Sequence, residues 1–252
     1  MFNKRIKSIK PQFLLLLFII MLVIYGLGSS FLYRTFGLPG YIIGRLFFAL
    51  ACYFWFIHFH KGNRLLTEAH PFFQAPAFSL IFLLIFVVLY MVHLFDVPGN
   101  ITALLKQDIS SILCNTFIAL TAGIFEETIF RGIGADTFCA WYKETNHPLC
   151  HSAIWTSLIF GLSHLSNMNG TDSSQVWIQV FYACMLGMAL YAWRILTNGM
   201  ILPIMLHFLI DLQPNLLTED IAAGSFCIYV VIFLPLGLLS FALIYQLEKN
   251  LK

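Results

Sequence analysis

Residues 110–141 read SSILCNTFIALTAGIFEETIFRGIGADTFCAW, an apolar run broken near its middle by Glu126, Glu127 and Arg131. A bilayer crossing needs about 20 helical residues, so this run is too long for one straight span. It is expected to break or tilt near Gly132 and Gly134, or to leave the membrane as an interfacial helix. Seven more uncharged or nearly uncharged runs flank it, at 12–33, 41–60, 77–97, 152–165, 175–193, 199–216 and 225–247. The fifth in chain order, 152–165, is short enough to be half-buried. The pattern predicts an all-α polytopic membrane protein of about eight transmembrane helices, in a single domain over 1–252.

Composition supports the same solvent. Of 252 residues, 60% are hydrophobic and 10% charged, against about a quarter charged in a soluble domain. Mean hydropathy is +0.83. A soluble body could not bury so much apolar surface, and disorder, collagen, disulfide mini-scaffolds and coiled coils are excluded as well. Fourteen Lys and Arg against 12 Asp and Glu give a net charge of +2, too balanced for nucleic acid. The six Cys show no CxxC spacing and read as small core hydrophobes. Four cations in MFNKRIKSIK precede an apolar run longer than a signal-peptide core, so an uncleaved first helix is expected. With eight spans and the N-terminus inside, 11 of the 14 Lys and Arg fall on internal segments; Arg34, Arg45 and Lys106 do not. By the positive-inside rule both termini are cytoplasmic.

Charges near a bilayer centre cost at least about 2.5–3.5 kcal/mol, so intramembrane ionisable groups are functional candidates. They gather in three places. Glu127 and Arg131 are i,i+4 neighbours on a helix and can neutralise each other. Glu126 points about 100° away, a spare carboxylate suited to general-base work. Phe160-Gly161-Leu162-Ser163-His164 closes the fifth run, and His207-Phe208-Leu209-Ile210-Asp211 stacks an imidazole and a carboxylate on one face of the seventh. The bland readings are a snorkelling helix end, an interfacial His164 and a structural His207–Asp211 hydrogen bond. Convergence of all three on one intramembrane site supplies a base, oxyanion-stabilising groups and metal ligands together. The other His residues sit at interfaces or in polar connections, and Arg45 either snorkels or pairs with a carboxylate.

Other protease chemistries lack their sequence marks. There is no HExxH and no GxSxG. Gly161-Leu162-Ser163-His164 is only faintly like a serine-protease loop, and Gly132-Ile133-Gly134-Ala135-Asp136 has one residue too many for GxGD. Glu126, His164, His207 and Asp211 could ligate Zn²⁺. A water poised by a glutamate base needs no metal, and that route is preferred. One tension stands. Glu126 is about 22 Å along its helix from Ser111, yet polar residues 167–174 follow His164 closely. Either the fourth run begins outside the hydrocarbon or the fifth span is misplaced.

EExxxR, FxxxH and HxxxN/D in this order on successive apolar helices resemble the signature of the CPBP family, the CAAX-processing and bacteriocin-processing enzymes also called type II CAAX prenyl protease-like or Abi. The resemblance covers about residues 126–211, with a motif-bearing core of about 110–216. It implies an intramembrane endopeptidase in which Glu126 and His164 activate water. His207 and Asp211 would stabilise the oxyanion, while Glu127, Arg131 and Phe160 support the motif. Asp211 stands where the eukaryotic CAAX-processing members usually have Asn, so it stays protonated, orients His207 or binds metal. The implied partners are membrane lipid and a peptide or protein substrate, lipidated or transmembrane. The implied settings are CAAX-type processing, bacteriocin immunity or peptide-signal maturation in a bacterial cell membrane. The competing readings are a catalytically silent immunity or binding protein and a proton-coupled transporter. Internal inverted repeats, which would favour the transporter, are not found in the sequence.

Overall fold

The computed structural model describes residues 2, 10–59, 64–68, 70–168, 172–214 and 225–252. Among them the regular structure is helical, apart from one isolated bridge between Phe2 and Leu66. Helix α1 is Pro11–Phe59, bent where Gly37 takes a φ of +66° two residues before Pro39. That left-handed φ suits glycine, and a proline removes a helical N–H. The first two expected spans are therefore the two helical arms of α1, on either side of the non-helical Gly37; His60, which ended the second, lies outside the described residues. Helix α2 is Pro76–Leu94 and the short α3 is Val97–Leu104.

Helix α4, Ile109–Trp141, is continuous over 33 residues. The expected break near Gly132 and Gly134 is instead a π-helical stretch, Thr128–Gly134, starting directly after Glu127. Wider winding turns the following side chains without severing the backbone ladder, and such segments recur at functional sites. Asp108 caps the helix by accepting from the Ser111 amide at 3.0 Å and the Ser111 hydroxyl at 2.7 Å. The Ser111 hydroxyl, followed by the amides, holds the Asp108 carboxyl below its usual range.

Helix α5, Pro148–Ser163, runs back along α4 and continues as the 3-10 turn His164–Met168. Phe138 stacks on Trp155 near one end of this pair, and Phe130 meets Phe160 at 5.1 Å near the other. Sixteen residues reach about 24 Å, short of the ~30 Å hydrocarbon core. The helix starts at Pro148 rather than at residue 152, so the fifth expected run is longer at its first end. α5 begins beside the far end of α4 and stops part-way, beside the middle of α4 where Glu126 lies.

Helix α6 is Ser173–Thr197, α7 is Ile201–Asp211 and α8 is Phe226–Asn250. The seventh expected span, 199–216, is helical over only 11 residues. Leu212 leaves the helix at ψ 84°, and Gln213 precedes Pro214, a position that disfavours the α region; residue 216 lies outside the described residues. Among the described residues five helices are long and apolar enough to cross a membrane: the two-armed α1, then α2, α4, α6 and α8. The protein is thus an all-α membrane bundle. Its outward faces stay apolar, as at Phe47 and Val231, which are 76% and 73% exposed.

Two of the cations counted on internal segments are packed within the bundle. Arg131 and Arg194 are both 0% exposed, inside the bundle. Arg194 donates from Nε to the Arg131 carbonyl at 3.2 Å. Arg194 therefore ties α6 to the α4 backbone at Arg131 rather than lying on the surface. Lys4, Arg5, Lys7 and Lys61 lie outside the described residues.

Candidate active site

The site grows from one turn of α4. Arg131 donates from Nη1 to Glu127 Oε1 at 2.9 Å, with both side chains 0% exposed. Arg131 Nε and Nη2 have no hydrogen-bond partner among the described residues. The guanidinium carbon instead sits 4.3 Å from the centroid of the Phe160 ring, a cation–π contact that offsets part of that cost.

Helix α7 enters at Gly123. A Cβ there would stand 2.9 Å from the Ile204 carbonyl oxygen and 3.1 Å from the Phe208 amide nitrogen. This close backbone approach carries His207 onto Glu127, whose Oε1 accepts from His207 Nδ1 at 2.7 Å. One buried carboxylate oxygen thus serves both Arg131 and His207. The opposite ring nitrogen, His207 Nε2, lies 3.4 Å from Asp211 Oδ2 and 3.7 Å from Glu126 Oε2. His207 is 5% exposed at its side chain, whereas Glu126 and Asp211 are 23% and 30% exposed. The base candidate is therefore reachable and the imidazole is fixed.

Phe160 joins the third motif to the other two. Its ring meets Phe130 at 5.1 Å, His164 at 5.1 Å and His207 at 5.8 Å, all edge-on. His164 Nδ1 lies 2.9 Å from the Phe160 carbonyl oxygen. A carbonyl only accepts, so Nδ1 carries the proton and Nε2 of a neutral ring offers a lone pair. No hydrogen bond or ion pair joins His164 to Glu126 among the described residues. The structure brings Glu126, Glu127, Arg131, His207 and Asp211 into one connected cluster, and His164 reaches it through the Phe160 ring.

Two features here were not legible from spacing. Glu127, expected only to pair with Arg131, also grips His207 across 80 positions of sequence. Tyr25 stacks on Phe125, the residue before Glu126, at a centroid distance of 3.6 Å. The first arm of α1 therefore borders the site, and no motif marks it.

For metal, His207 Nε2 with Glu126 and Asp211 oxygens is a nitrogen-and-oxygen donor set of the kind Zn²⁺ accepts. Glu127 at Nδ1 is the usual carboxylate companion of a ligating imidazole. A separate group, His147, Cys150 and Glu248, has donor atoms all within 4.8 Å of one another. There the Glu248 carboxylate accepts from the Leu149 and Cys150 amides at 2.7 and 3.3 Å, tying α8 to the start of α5.

Residues 108–213 match the family model for type II CAAX prenyl endopeptidase Rce1-like proteins. This site-bearing segment, less than half of the chain, is similar to the Rce1-like family. The matched stretch runs from the Asp108 cap of α4 to just beyond Asp211, so it holds every member of the cluster described above. The members of the matched family are described as prenyl endopeptidases of the CAAX type. The whole of α1, including the Tyr25 stack, lies outside the Rce1-like match. No curated protein and no solved structure matches the chain.

Proposed function

We propose that this protein is an intramembrane endopeptidase in which Glu126 activates water for attack on a peptide carbonyl. The observation that carries the reading is the fixed position of His207, held at Nδ1 by Glu127 and facing Glu126 and Asp211 with Nε2. Carboxylates on both sides of the ring favour a proton on each nitrogen, so Nε2–H is aimed at the space between Glu126 and Asp211.

The Glu126 carboxylate takes a proton from water, and the water oxygen bonds to the scissile carbonyl carbon. His164 Nε2, with Nδ1–H held by the Phe160 carbonyl, can accept from the same water and orient it. The electron pair displaced onto the carbonyl oxygen is met by His207 Nε2–H, with Asp211 beside that nitrogen to orient the ring. The C–N bond then breaks as Glu126 returns its proton to the departing amine. Zn²⁺ held by His207, Glu126 and Asp211 would supply Lewis acidity to the carbonyl, but the residues alone provide a base and donors. CAAX-type processing fits the family; bacteriocin immunity and peptide-signal maturation are the other settings for the same chemistry.

The test is cleavage of a farnesylated peptide by the full chain in lipid nanodiscs. Glu126→Gln, His164→Ala and His207→Ala should each lose most turnover, and the double variants should be little worse than the singles, because groups in one step are non-additive. Near-normal cleavage by Glu126→Gln would remove the base assignment.

A further inference from the structure

We infer that Arg45 is the subsite for a substrate's C-terminal carboxylate, an inference that rests on the CAAX-protease reading and gives it a specificity residue. Arg45 lies in the second arm of α1, inside an apolar stretch where an unneutralised guanidinium is costly. Among the described residues it has no carboxylate partner. It is held between two tyrosines, its guanidinium carbon 4.4 Å from the Tyr25 ring centroid and 4.8 Å from that of Tyr41. Its Nε donates to the Tyr25 hydroxyl at 2.9 Å, and its Nη1 and Nη2 donate to the Tyr41 and Tyr25 hydroxyls. Because both hydroxyls accept from Arg45, their own O–H protons remain to be donated to an arriving anion.

This charge adjoins the site. Tyr25 stacks on Phe125 at 3.6 Å with an interplanar angle of 13°, and Phe125 precedes Glu126. Arg45 is thus two ring spacings from the residue before the proposed base. A CAAX box is the last four residues of its chain. Any peptide bond within it lies no more than three residues from the terminal carboxylate, at most about 10 Å in extended form. A peptide whose scissile bond meets Glu126 can therefore bring its free end to Arg45, where a planar guanidinium binds carboxylate bidentately. The site then has an acidic cutting end and a cationic anchoring end, an arrangement that selects bonds near a free C-terminus.

The same contacts would also serve a clamp between the two arms of α1, and the experiment separates the roles. The probe is a farnesylated peptide ending Cys-Val-Ile-Ala, made as the free acid and as the C-terminal amide, with the full chain in nanodiscs. The wild type should prefer the acid by about 10- to 100-fold in kcat/KM, chiefly through KM. Arg45→Gln should bring the two peptides to the same kcat/KM, and Arg45→Lys should keep part of the preference. Equal cleavage of acid and amide by the wild type would overturn the subsite and leave the protease reading intact. Arg45→Gln lowering both peptides in proportion would assign Arg45 to the clamp. Binding to Glu126→Gln is the second readout. Tighter binding of the acid without wild-type turnover supports the subsite and removes the protease reading; equal binding removes the subsite.

Discussion

Glu127 Oε1 lies 2.7 Å from His207 Nδ1 and 2.9 Å from Arg131 Nη1. A single buried oxygen thus couples the motif of α4 to the motif of α7. The arrangement explains why two adjacent carboxylates serve different ends. Glu127 is spent on holding the imidazole and the guanidinium, and Glu126, a helical step of about 100° away, is left at the accessible side.

The first prediction follows from that division. Glu127→Ala leaves the fully buried Arg131 without its counter-ion, which should cost about 3–5 kcal/mol. Glu126→Ala removes a partly exposed carboxylate and should cost less than about 1 kcal/mol. Thermal unfolding in detergent should rank Glu127→Ala well below Glu126→Ala. The reverse ranking would mean that Glu126 is the structural carboxylate.

Gly123 offers a second test. Its added Cβ would meet backbone atoms of Ile204 and Phe208, which cannot rotate away. Gly123→Ala should destabilise by about 1–3 kcal/mol and shift His207 off Glu127, lowering kcat at least tenfold. Unchanged activity with unchanged stability would show that the α4–α7 approach is not needed.

Topology is testable without any substrate. We expect Lys252 to be cytoplasmic and the segment around Asp172–Ser174 to lie on the opposite side. Reporter fusions at these two positions should therefore give opposite compartments, and a shared compartment would refute the arrangement.

Metal dependence separates the two donor groups. Active detergent-purified protein is expected to keep its activity through chelation and to carry no stoichiometric zinc at His207. If zinc is found, Cys150→Ser and His207→Ala assign it. Loss of zinc in His207→Ala, with activity lost on chelation and restored by zinc alone, would replace the metal-free route while keeping the protease.

Much of this site was legible because its parts are local. Glu127 with Arg131 and His207 with Asp211 are four residues apart, and helical periodicity alone puts each pair on one face. The runs of apolar residues likewise set the solvent and the helical class, since a lipid-exposed backbone has to satisfy its own polar groups. Arg194 shows where this reading stops. As a cation near the end of an apolar run it looks like a surface charge, but α6 packs it against the Arg131 carbonyl, 63 positions away.

What the sequence by itself determined is therefore the membrane environment, the helices and the chemical inventory of each motif, all properties of neighbours within a turn or two. Only the tertiary structure decided that α5 stops beside the middle of α4, that Glu127 rather than Asp211 holds His207 Nδ1, and that Tyr25 and Arg45 border the site. Those facts depend on how far one helix runs beside another and on which faces meet. Side-chain volume and backbone approach set both, as the bare Gly123 surface does for α7, and spacing along one chain carries no record of them.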